Sequence, residues 1–237
     1  MYLKNRGATT VLKRLIHGSM SNITLYSYDL SPPCRAVLMT AHAIGLKLNI
    51  HEINLMHKDH LSEEYAKINP QQSIPAMDDD GFFLTDSHAI NCYLVDKYAK
   101  DHALYPTDLQ KRALVNQFLY YDTGVLFATA KNAFKPIFMQ AAKEVPEEKM
   151  KLLNEAYEQL NKLLEGKKWL AGDSYTLADI NCISTASSAT VVVNMDNYPN
   201  VKAWIERCEE ELPGYKECNA PGNKVLQATL RACLAKK

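Results

Sequence analysis

The spacing of apolar residues changes character about 100 residues into the chain. Before that point short alternating runs are interleaved with helical stretches, and beyond it only helical spacing remains. Ile23-Thr24-Leu25-Tyr26-Ser27-Tyr28 alternates as a strand. Asp29-Leu30-Ser31-Pro32-Pro33 breaks it and leads into a helix through Ala36, Val37, Leu38, Ala41 and Ile44 that stops at Gly45, where prolines suit a first turn and glycine suits an exit. Residues 46–55, with Leu48, Ile50 and Ile53, predict a second strand, and 61–68 a polar helix. Strands over 74–77 and 82–84 flank Asp78-Asp79-Asp80-Gly81, a hairpin turn signal, and a helix over 87–100 follows.

Past Tyr105-Pro106 the strand signals vanish. A long helix starting near residue 107 is expected to bend near Pro136, because proline disrupts the ladder. Residues 146–166 are amphipathic, with Met150, Leu153, Tyr157, Leu160 and Leu164 on one face. Thr176-x-x-Asp179 reads as a capping box opening an almost uncharged helix over 180–193, a helix expected in the middle of a bundle. Helices over 199–212 and 224–234 complete the pattern.

The order βαβ, then αββα, is that of a thioredoxin-like fold. The fold class is therefore α/β plus all-α: a thioredoxin-like domain over 21–100, a linker over 101–107 and an all-helical domain over 108–237. Residues 1–20 carry Lys4, Arg6, Lys13 and Arg14 without an acid, and Gly18-Ser19-Met20 resembles a cloning junction before a native Met. They are read as a leader outside the fold, an organellar presequence being the other reading.

With 237 residues, 47% of them hydrophobic, the chain can bury one large core or two small ones. Lys plus Arg and Asp plus Glu both number 27, so no field favours nucleic acid or an anionic membrane as partner. No apolar run reaches the ~18 residues of a membrane span. Six cysteines without a C-x-x-C pair, and seven histidines without H-x-x-x-H spacing, fit reduced thiols in a cytoplasmic protein with no metal.

Two stretches carry candidate chemistry. Ser31 precedes a helix start, where a thioredoxin-like domain would carry the first cysteine of its redox motif. Dithiol chemistry needs a low-pKa thiolate there, so serine disfavours it. A serine hydroxyl can instead donate to an incoming thiolate, whose charge the helix N-terminus also favours. The plainer reading is that Ser31 only caps the helix, and that Cys34 is a packed small residue. The second stretch runs from Pro70 to Ile90. Ile74 precedes a proline and is held extended, so its backbone N–H and C=O are open to strand addition by a peptide. Asp86-Ser87 stands where a strand gives way to a helix, suiting a carboxylate at Ser87 and an amine at Asp86; Ser87 as plain N-cap is the alternative.

Together, Ser31-Pro32-Pro33-Cys34-Arg35, Asn69-Pro70-Gln71-Gln72-Ser73-Ile74-Pro75, Asp86-Ser87-His88-Ala89-Ile90, Leu104-Tyr105-Pro106 and Leu177-Ala178-Asp179 resemble the cytosolic glutathione transferases. The resemblance spans residues 21 to about 220 and is closest to the insect delta and epsilon classes, epsilon favoured. It implies a detoxifying homodimer with glutathione as co-substrate and no metal, conjugating hydrophobic electrophiles, with dehydrochlorination or peroxide reduction as variants of the same thiolate chemistry.

By the same resemblance Ser31 activates the thiol, and His60, Gln72, Ser73, Ile74, Pro75, Asp86, Ser87 and His88 hold glutathione. Gln72 departs from the family, which commonly carries histidine there; it can hydrogen-bond a carboxylate but carries no charge, so weakened binding is expected. Phe127, Ala130, Lys131, Phe134 and Phe138 fall along one side of a helix and, with Leu30, Pro33, Leu55 and Met56 opposite, are expected to wall the second-substrate pocket; as a bare pattern the stripe also reads as core. Two other functions remain open: a non-catalytic carrier of hydrophobic ligands, and a thiol reductase in which Cys34 acts alone.

Overall fold

A computed structural model describes residues 22–235. The leader expected at 1–20 lies outside the described residues. The first half is a four-stranded sheet in the order β2-β1-β3-β4, made of β1 (Ile23–Ser27), β2 (Asn49–Glu52), β3 (Ala76–Asp79) and β4 (Phe82–Thr85). β2 runs parallel to β1 after a crossover through α1 (Pro32–Ala43), as parallel pairing requires, while β3 and β4 are antiparallel.

Local chemistry sets the boundaries. α1 ends in a Schellman arrangement: Leu46 N–H donates to Ala41 O at 2.8 Å and Gly45 N–H to His42 O at 3.0 Å, with Gly45 at φ 69°. Asp80 and Gly81 both take positive φ in the two-residue loop between β3 and β4, the type I′ geometry expected of an aspartate-glycine turn. Four sequence expectations shift. β2 is four residues, not ten, because it is an exposed edge strand, and Leu55–His57 and Asp59–Leu61 form 3₁₀ turns instead. α2 (Glu63–Ile68) starts after its Ser62 cap. β3 begins at Ala76, since Pro75 has no N–H to give a ladder. α3 (Ser87–Tyr98) ends two residues early.

In the second half α4 (Leu109–Tyr121) and α5 (Phe127–Phe138) are joined by a π-turn, Asp122–Leu126. The irregularity expected at Pro136 therefore lies at 122–126, and α5 ends two residues after the proline. α6 (Glu147–Leu163), α7 (Leu177–Ala189), α8 (Pro199–Glu211) and α9 (Ala220–Leu234) follow, α9 preceded by a second π-turn, Tyr215–Asn219. α7 is buried along its whole length and packs on α1, α3, α4, α5, α8 and α9. Its capping box is present: Ala178 N–H donates to Thr176 Oγ1, and Thr176 N–H to Asp179 Oδ2.

The sheet has a core of its own, with Ile23, Leu25, Val37, Met77, Ile90 and Leu94. The larger core belongs to the helices, yet it takes in Ala36 and Met39 of α1 and Val95 of α3. Those two helices thus bury one face on the sheet and the other on the bundle, which fixes the sheet's loops against α7. Among the described residues no helix is long and apolar enough to cross a membrane.

Candidate functional site

The sheet register collects the candidate residues at one end. Tyr26 pairs with Ala76 and Ala76 with Thr85, so the chain leaves β1 toward Ser31, enters β3 from 72–75 and leaves β4 toward 86–88 along one edge. Ser27 pairs with Glu52, which brings the 53–60 segment to the same edge. Neighbouring strands lie about 4.8 Å apart, so three strands present an extended cradle about 10 Å across.

Ser31 follows a turn closed by Ser31 N–H to Tyr28 O at 2.8 Å and is only 8% exposed. It occupies the N-cap position of α1 yet makes no side-chain capping bond. The plain-cap reading is thereby corrected: the hydroxyl caps no backbone N–H of α1 and lies instead against the Cys34 thiol, and since Pro32 and Pro33 carry no N–H, it is the dipole of the helix that favours negative charge there. Cys34 is fully buried, and burial pushes its thiol pKa up against hydrogen bonds from Ser31 and Ser27. A buried neutral thiol is a poor nucleophile, so the reading in which Cys34 acts alone as a reductase fails on this geometry.

Across the cradle, the Ile74-Pro75 bond is cis, and Ile74 stands beyond the last ladder pair. Its neighbour is locked: Ser73 O accepts from Tyr65 Oη at 2.7 Å and from Asn69 Nδ2 at 2.6 Å. Gln72 is half-buried at φ 51°, a left-handed conformation that a long side chain adopts at a cost, and its N–H donates to Asn69 O. Gln72 is therefore held by the Asn69 turn. His60 lies in the turn after β2, its buried Nδ1 without a partner among the described residues.

At the third corner Asp86, not Ser87, caps α3: its Oδ1 accepts from His88 N–H at 2.9 Å and Ala89 N–H at 3.2 Å. That bonding offsets an Asp86 backbone at φ 71°, ψ 120°, a region costing about 1–3 kcal/mol. Ser87 becomes the first helical residue, buried, its Oγ 3.5 Å from His88 Nδ1. The His88 interaction holds the Asp86 carboxyl below its ordinary range. His88 Nε2 lies 2.9 Å from Asp122 Oδ2, and Thr123 Oγ1 is 2.9 Å from Nδ1. Burial would lower the His88 pKa, but Asp122 and Asp86 raise it to about 9, so the ring is cationic at neutral pH.

The pocket residues divide. Ala130 and Phe134 lie in the helical core, with Leu30 and Phe138 packed against it. Phe127 is half-buried under the Lys131 ammonium, 6.0 Å from the ring centre, while Met56 is 56% exposed. Pro33 and Leu55 are half-buried at the edge of the cradle. An open acidic groove lined by Glu144, Glu147, Glu148, Glu155 and Glu158 includes none of the predicted site residues. Among the described residues no group of His, Cys, Asp or Glu stands in metal-holding geometry.

Two family profiles match the chain in the order of its two halves: glutathione S-transferase, N-terminal domain, over 25–102, and glutathione S-transferase, C-terminal domain, over 121–211. Glutathione S-transferase 1 of Manduca sexta is 42% identical over 205 residues, covering 85% of this chain and 94% of that one. The chain belongs to the glutathione S-transferase family. A delta-class glutathione transferase from Nilaparvata lugens and an epsilon-class glutathione S-transferase from the housefly, Musca domestica, each superpose with TM-score 0.84 at 39% identity, over 89% of this chain and 99% and 98% of theirs. This glutathione transferase is accordingly an enzyme with glutathione as co-substrate. What the sequence reading missed is Asp122, which reaches His88 across 34 positions, and Asn219, which reaches Arg35 across 184. No local motif signals either; only a polar residue inside a helical apolar pattern hints at them.

Proposed function

We propose that Ser31 donates its hydroxyl to the glutathione sulfur and, with the N-terminus of α1, keeps it ionised at neutral pH. A Ser31 hydroxyl at the start of α1 that caps no backbone N–H, and that is bonded instead to the neutral thiol of the buried Cys34, is the observation that carries this reading. Ile74 pairs with the cysteinyl backbone, Asp86 holds the γ-glutamyl amine, Ser87 its carboxylate, and His60 and Gln72 serve the other end, with Ser73, Pro75 and His88 fixing the cradle. The thiolate then attacks an apolar electrophile, a C–S bond forms, and the leaving group departs with its electron pair. Leu30, Pro33, Leu55, Met56, Phe127, Ala130, Lys131, Phe134 and Phe138 supply the wall; the buried Ala130 and Phe134 shape it from behind. Holding thiolate and electrophile together supplies the rate through proximity.

The test is conjugation of glutathione to a chloronitrobenzene. Turnover saturating in both substrates is expected; apolar-ligand binding indifferent to glutathione, with no turnover, would make the protein a carrier. We further place the enzyme in the cytoplasm as a homodimer. Its six cysteines are unpaired, which suits a reducing compartment; recovery in an organelle fraction would contradict this. α4 exposes Leu109 and Tyr120, eleven residues apart and so on one face, and the β4 edge exposes Phe82 and Phe83. Light scattering at micromolar concentration should give twice the chain mass, and a monomer mass would sink the dimer.

A further inference from the structure

Arg35 is fully buried one turn past Ser31, among Cys34, Ala36 and Val37. Its guanidinium reaches three parts of the chain. Nη1 donates to the carbonyls of Asp29 at 3.1 Å and Leu30 at 3.0 Å; Nη2 donates to Ser184 O at 3.2 Å and Ser188 Oγ at 2.6 Å; Nε donates to Asn219 Oδ1 at 2.9 Å. Every acceptor is a neutral oxygen. Burying a cation on dipoles is expensive, and an apolar side chain of similar volume would join the helices at less cost. Burial lowers the pKa only to about 10, so the charge persists at neutral pH; the titratable groups facing it are Cys34, Tyr215 and Asp29.

Two of the five bonds fall on the carbonyls that immediately precede Ser31. A separate observation marks the same loop. At Gly222, in α9, an added Cβ would stand 2.2 Å from Asp29 O and 3.0 Å from Arg35 Cδ. The backbone of the last helix therefore rests directly on the loop from behind.

We propose that Arg35, backed by Gly222, is a positioning residue that fixes the 29–30 carbonyls inward so that the Ser31 hydroxyl faces the glutathione sulfur. Through it the helical half, by Ser184, Ser188 and Asn219, sets the geometry of a hydroxyl carried by the sheet half. The inference rests on the role given to Ser31 above.

The experiment follows the ultraviolet absorbance of the bound glutathione thiolate against pH in the wild type, Ser31→Ala, Ser188→Ala and Arg35→Lys, with kcat, KM and Tm for each. Lysine keeps the charge and loses the fork, so it does not restore the geometry. Ser188→Ala should raise the bound thiol pKa by about half a unit and Arg35→Lys by about one, with kcat at pH 6.5 falling by about threefold and tenfold and KM for glutathione within about twofold. A lower Tm with an unchanged thiol pKa in both variants would reduce Arg35 to a staple between helices and overturn the proposal. If Arg35→Lys does not fold, the milder Ser188→Ala decides on its own. A shift in Ser31→Ala without one in the others removes only this inference, and no shift in Ser31→Ala removes both readings.

Discussion

His88 is held between carboxylates from distant parts of the chain, Asp86 at its own helix start and Asp122 in the π-turn after α4. Its folded pKa of about 9 stands above the ordinary 6.5, so the stability it contributes is complete below about pH 6.5 and is lost as pH rises through about 9. Burial pushes the Asp122 carboxyl up, while its hydrogen bond to His88 holds it down. Urea unfolding should show the wild type losing about 1–2 kcal/mol between pH 6.5 and 9.5, and His88→Gln losing much less. Equal losses in both would show that His88 is not charged in the fold. The positions of Ser31, Ile74 and Asp86 were readable because each depends on its immediate neighbours, a helix start, a following proline and a strand end, although the cap of α3 was read one residue late, at Ser87. Asp122, Arg35 and Gly222 depend on which helix arrives from elsewhere, which no local spacing records.

α7 owes its place to a carboxylate. Asp179 is fully buried and accepts from Leu170 N–H at 3.0 Å, Thr176 N–H at 3.0 Å and Trp204 Nε1 at 3.0 Å, joining the cap of α7 to α8 and to the loop before it. Burial pushes its pKa up while those bonds hold it down. Asp179→Ala would leave three buried donors unpaired, and a loss of about 3 kcal/mol or more in denaturant unfolding is expected; under about 1 kcal/mol would show that water replaces the carboxylate. The capping box and the uncharged run after it made α7 legible as the central helix. The π-turns were not. Residues 109–138 keep helical spacing through 122–126, so the pattern reads as one helix, and the proline that drew attention to 136 sits near an end where it does little harm.

The whole molecule places an extended cradle, made by one end of a sheet, against a helical half that shares α1 and α3 with it in its core. The change from mixed to purely helical spacing near residue 100 made this division visible in the sequence. The shared core was not visible, because it depends on both faces of α1 being apolar around the buried Arg35. The stripe from Phe127 to Phe138 likewise looked uniform, and only packing separates the buried Ala130 and Phe134 from the outer Phe127 and Lys131. The proposed function nevertheless turns on one hydroxyl. The thiol pKa of glutathione bound to the wild type and to Ser31→Ala, read from thiolate absorbance between pH 5 and 10, tests it most directly. A wild-type value well below that of free glutathione, rising by about two units in Ser31→Ala with conjugation at pH 6.5 down about a hundredfold, is the predicted result. The same thiol pKa in both proteins would contradict it.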